Sequence, residues 1–80
     1  MREKMSLHDM GMLQKIASNV QKQTGWREGQ CLFNVLYDVD KEMAEEVRGV
    51  PNIDPYFEDK NIPSFLRYIT GGEGHAYPGR

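Results

Sequence analysis

Leu13, Ile16, Ala17 and Val20 recur three and four residues apart, the spacing that places side chains on one face of a helix. Leu7, Met10 and Met12 extend that apolar surface, while Lys15, Gln21, Lys22 and Gln23 lie mostly off it. Ser6 stands three residues before Asp9, a capping-box-like start, and Gly25 is placed for a left-handed stop. The pattern therefore predicts a first helix between Ser6 and Gly25. Gly11 weakens its early turns by about 1 kcal/mol relative to alanine.

A second helix is predicted over roughly Arg27 to Asp38. Leu32, Val35 and Leu36 fall on one broad side, with Cys31 at its edge. Arg27, Gln30, Asn34 and Asp38 form a polar stripe on the other. Gly29 lies near the start of this helix, where its conformational penalty is smaller. Asp38 or Asp40 then caps a third helix carrying Met43, Ala44 and Val47, ended by Gly49 and Pro51. Asp40, Glu42, Glu45 and Glu46 crowd its front and middle, the favourable end of the helix dipole for acids.

Pro51 to Asn61 has no periodicity and carries Pro-Asn, Asp-Pro and Asp-Lys-Asn turn signals. Tyr56 and Phe57 within it are expected to tie it down by packing back on the helices. Pro63 suits the first turn of a short fourth helix, Ile62 to Ile69, whose Ile62, Phe65, Leu66 and Ile69 share one stripe. No strand pattern of convincing length and no repeat appears. The expected fold is thus all-α: about four short helices with an ordered loop before the last. Residues 6–69 are expected to form the domain, between a flexible 1–5 and a flexible glycine-rich tail, 70–80.

Eighty residues allow one domain at most, near the lower limit for a single unaided core. The chain has no apolar run near 18 residues and no segment resembling a signal peptide, so no membrane span and a cytoplasmic setting are expected. A lone cysteine excludes an intramolecular disulfide, and Cys31 on the apolar side reads as a buried structural thiol. Net charge is −2, divided into +2 over residues 1–30 (five Lys/Arg, three acids) and −4 over residues 31–80 (five against nine).

Candidate chemistry is sparse. Asp38, Asp40 and Glu42 alternate like the start of a calcium loop. Such a loop needs glycine at position 43 and glutamate at 49, where the chain has Met43 and Gly49. His8 and His75 have no partner at zinc-ligand spacing. There is no phosphate loop and no nucleophile motif, and Asp54, Glu58 and Asp59 are explained as turn-formers and solvated charges. No catalytic, metal or cofactor site is expected, and the chain is not expected to be an enzyme. Nucleic-acid binding, the less favoured alternative, has only Lys15, Lys22 and Arg27 behind it.

Protein recognition is the better expectation. Trp26, Arg27 and Tyr37 are residue types enriched at interface hot spots, and Gln30 and Asn34 supply directional hydrogen bonds. With Tyr56 and Phe57 of the loop they make the candidate contact set. Competing structural readings stand beside it. Trp26 suits the role of the core's largest plug, and Gln30 with Asn34 could tie the second helix to the Asp54–Asp59 loop. A homodimer fits as well, because so small a core gains from a partner surface.

The set Trp26-Arg27-x-Gly29-Gln30-x-x-Phe33-Asn34-x-Leu36-Tyr37, Asp54-Pro55-Tyr56-Phe57-x-Asp59 and Ile62-Pro63-x-Phe65-Leu66 resembles short uncharacterised proteins of bacteriophages and prophages. The similarity covers about Gly25 to Ile69 and brings no activity with it. It implies a small protein made in a bacterial cytoplasm and leaves open whether its partner is viral or host. The expected role is that of a stoichiometric modulator or inhibitor of a host protein, with a nucleic-acid-binding regulator or a virion or assembly component as the alternatives.

Overall fold

A computed structural model of the chain describes residues 4–71, which form four α-helices and one 3-10 turn, with no strand among them. Helix α1 (Leu7–Thr24) starts where the Ser6 hydroxyl accepts the Asp9 N–H at 3.0 Å. It stops at Gly25, whose φ of 77° is the left-handed conformation that glycine adopts without a steric penalty. Helix α2 (Glu28–Val39) and helix α3 (Lys41–Val47) are separated by Asp40 alone. That residue ends α2 through its N–H to Leu36 O and begins α3 by accepting the Met43 N–H. So tight a junction forces α3 to turn sharply away from α2 instead of extending it.

After α3 the chain runs through turns to a 3-10 turn, η1 (Asp59–Asn61), which leads directly into α4 (Ile62–Thr70). The sequence predicts plain loop there; three residues are too few for periodicity to register. Pro63 occupies the first turn of α4, where its missing N–H costs nothing.

Helix α2 is the central strut, packing against α1, α3 and η1. Its Cys31, Leu32, Val35 and Leu36 meet Leu13 and Ala17 of α1, Met43, Ala44 and Val47 of α3, and Phe65 and Ile69 of α4 in one core. Cys31 is fully enclosed, with its thiol 3.9 Å from Trp26 O. Phe33 and Gly29 are buried on a further side, toward the loop. This helix is therefore covered over more of its circumference than a two-faced pattern suggests.

Three expectations change. Trp26 is 41% exposed and is no core plug; Phe65, Leu32 and Leu36 fill the centre instead. Met12 and Ile16 remain on the surface, because only Leu13 and Ala17 of α1 are fully covered by α2. The packed unit also extends past 6–69. Met5 donates its N–H to Ile69 O at 2.7 Å, Lys4 lies 3.6 Å from the centre of the Tyr68 ring, and Thr70 is buried, its hydroxyl bonded back to Leu66 O. Residues 1–3 and 72–80, expected to be flexible, lie outside the described residues. No helix among the described residues is long and apolar enough to cross a membrane.

Candidate functional site

The loop between α3 and α4 is held on α2 by a polar latch. The first turn of a helix leaves N–H groups without intrahelical partners, and residues such as Ser or Asp at the N-cap supply an acceptor. Here the N-cap is Arg27, whose side chain is a donor and cannot do so. The acceptor arrives from a distant part of the chain: Asp59 Oδ1 accepts the Gly29 N–H at 2.9 Å. Arg27 turns its guanidinium onto the same oxygen at 3.2 Å and donates to Tyr56 O at 2.5 Å. One carboxylate thus caps the helix, pairs with Arg27 and fixes η1.

Gly29 is what permits the latch. A side-chain carbon there would collide with the backbone carbonyl of buried Pro55 and lie 2.8 Å from the Asp59 carboxylate. The requirement is therefore one of space; φ at Gly29 is not positive.

The loop interior is secured in the same way. Asp54 Oδ2 accepts the Gly49 N–H at 2.6 Å, and its Oδ1 accepts the Tyr56 N–H at 2.9 Å, closing an Asx turn. Asn61 donates its side-chain amide to Asp54 O at 2.9 Å. Asp54 is the turn-former the sequence suggests; Asp59 is exposed, as expected, but also caps α2 and pairs with Arg27.

With the loop fixed, a groove of about 510 Å³ opens beside α2. Phe33, Asn34 and Tyr37 line it from α2, Arg48 from the end of α3, and Asp54, Tyr56 and Phe57 from the loop. Four of the chain's eight aromatic side chains gather here. Phe33 and Tyr56 meet edge to face with centroids 5.7 Å apart. Tyr56 in turn supports Phe57 at 4.8 Å, and Tyr37 lies 6.4 Å from Phe33. Phe57 is 77% exposed, so the expectation that both loop aromatics pack back on the helices holds only for Tyr56.

Of the seven candidate contact residues, the fold brings Asn34, Tyr37, Tyr56 and Phe57 together around this groove. Arg27 is committed to the latch, which also removes it from any basic stripe with Lys15 and Lys22. Trp26 and Gln30 do not line the groove. The anticipated tie between α2 and the Asp54–Asp59 loop exists, but Arg27 and Gly29 make it, not Gln30 and Asn34. Both of those side chains are half-buried.

Sequence reasoning does not find Phe33 or Arg48. Phe33 and Tyr37 are one helical turn apart, a usable signal; Arg48, just beyond α3, has none. No group of three His, Cys, Asp or Glu capable of holding a metal comes together among the described residues. Chemically, the groove offers aromatic surface, an amide, two phenols, a guanidinium and the Asp54 carboxylate. Comparison of the chain with protein-family models, curated proteins and solved structures gives no match.

Proposed function

We propose that this chain is a small non-catalytic module that binds a protein partner stoichiometrically, through the groove between α2 and the loop. The observation that carries this reading is the exposed Phe57 held on Tyr56, beside Phe33 and Tyr37. Covering a phenylalanine side chain that stands in water is worth about 1.5–3 kcal/mol, so leaving it out is costly unless something covers it. Aromatic side chains held by one another lose little further freedom on binding, which suits them to anchor a contact. Asn34 and Arg48 at the walls supply direction and Arg48 a charge.

The resemblance of residues 25–69 to short phage and prophage proteins directs the search for the partner to a bacterial cytoplasm. There the module would modulate or inhibit a host protein. Capture from bacterial lysate with the full chain tests this. A partner is expected in about equimolar amount with wild type and with Trp26→Ala, which lies off the groove. It is expected to be lost with Phe57→Ala and Tyr37→Ala. Recovery of no partner, or of one indifferent to both groove substitutions, refutes the reading.

A further inference from the structure

Resting on that reading, we infer that the groove selects an acidic protein segment carrying one large apolar side chain. The apolar anchor follows from the rings of Phe57, Tyr56 and Phe33. The acidic preference follows from which polar groups at the groove still have capacity.

Of the charged and titratable groups, Arg48, Asp54, Tyr37 and Tyr56 line the groove, with Lys41, Glu45 and the Glu58–Lys60 ion pair beside it. Asp54 is the carboxylate within the groove, and each of its oxygens already accepts a backbone N–H, from Gly49 and from Tyr56. Glu45 approaches Arg48 only to 3.7 Å, beyond hydrogen-bond distance, with both side chains about half exposed. A pair that loose and wet contributes little, so Arg48 can exchange it for a better-placed carboxylate at small cost. Lys41 has no ion-pair partner among the described residues.

Both cations approach Tyr37. Lys41 Nζ lies 5.7 Å and the Arg48 guanidinium carbon 5.6 Å from the centre of its ring; Arg48 lines the groove, and Lys41 stands beside this groove residue. Guanidinium and ammonium groups offer donors only, and a guanidinium can grip a carboxylate with two parallel hydrogen bonds. Donors in excess at one wall and aromatic rings at the other suit an apolar residue with Asp or Glu close by in sequence. A nucleic-acid strand fits worse: its phosphates would follow one after another past Asp54 and Glu45, with Arg48 and Lys41 to meet them.

The test pans a library of random displayed peptides on the full chain, then titrates the selected peptides against isotope-labelled protein by NMR. The expected consensus has one Phe, Trp, Leu, Ile or Met within about three positions of two acids, and its binding shifts the signals of Phe33, Asn34, Tyr37 and Phe57. Arg48→Glu is expected to weaken the selected peptides about fivefold, and Glu45→Gln, which frees Arg48, to tighten them about twofold. Lys41→Glu combined with Arg48→Glu should turn the selected consensus basic; each variant is checked for unchanged helical circular dichroism. A neutral or basic consensus that still maps to the groove overturns the acidic preference and leaves protein binding standing. Failure to select any peptide that maps to the groove overturns both, as does groove binding of oligo-dT or self-association through these residues in its place.

Discussion

Replacing Gly29 with alanine separates the fold's demand from local helix propensity, because the two predict opposite signs. Alanine is a better helix former than glycine by about 1 kcal/mol, so propensity alone predicts stabilisation. At Gly29 the added carbon meets the Pro55 carbonyl, which is backbone and buried and cannot swing aside. To make room the loop must lift from α2. It then loses the Asp59 cap on the Gly29 N–H, a helix cap being worth about 0.5–2 kcal/mol. The Arg27 hydrogen bond to Tyr56 O goes with it, a charge-assisted bond of about 1.5–3 kcal/mol when sheltered and less at this half-exposed site. Part of the Phe33–Tyr56 contact, about 0.5–1.5 kcal/mol for an aromatic pair, is lost as well.

Against the propensity gain, the net expectation for Gly29→Ala is destabilisation by about 2–4 kcal/mol, a fall in Tm of at least about 8 °C for a domain this size. Gly11→Ala is the internal control. It also sits in a helix, but nothing lies within 4 Å of its missing side chain, so propensity acts unopposed and Tm should rise by a few degrees. Urea and thermal unfolding followed by circular dichroism measure both. A Gly29→Ala protein as stable as wild type, or more so, would refute the close approach of loop and helix.

The latch itself should separate under a mutant cycle. Asp59→Ala is expected to cost about 1–2 kcal/mol, and Asp59→Asn about half of that because the amide oxygen can still accept from Gly29; equal costs for the two would contradict capping. The Arg27→Ala cost should shrink when Asp59 is already alanine, and strict additivity in urea unfolding would show the two to be independent. In the core, Phe65→Ala removes a fully buried ring and should cost about 3–5 kcal/mol, enough to unfold much of so small a domain at 37 °C as seen by loss of chemical-shift dispersion. Phe57→Ala should leave Tm within about 2 °C of wild type while eliminating partner capture, and a large stability loss would show Phe57 to be structural.

How much of this was legible beforehand depended on distance along the chain. Ser6, Gly25, Asp40 and Pro63 act on residues within four positions of themselves, and each performs the role its local pattern implies. The apolar stripes likewise gave four helices, since side chains three and four apart share a face whatever surrounds them. Those signals failed where the question was what a stripe faces. Ile16 and Ala17 belong to one pattern, yet one is exposed and the other buried, because the pattern gives a direction and not the width of the neighbour that covers it.

The sequence by itself therefore determined the all-α class, the helix boundaries to within a residue or two, and the apolar side of α2. Tertiary structure alone decided that Asp59 caps a helix beginning thirty positions earlier, that Gly29 is a clearance for a carbonyl, and that Trp26 stays in water. It also decided that Phe33, Tyr37, Arg48, Tyr56 and Phe57 surround one groove. The physical reason is common to all four: local rules act through bonds and turns within one helix, whereas caps, clearances and grooves arise only when separate segments meet.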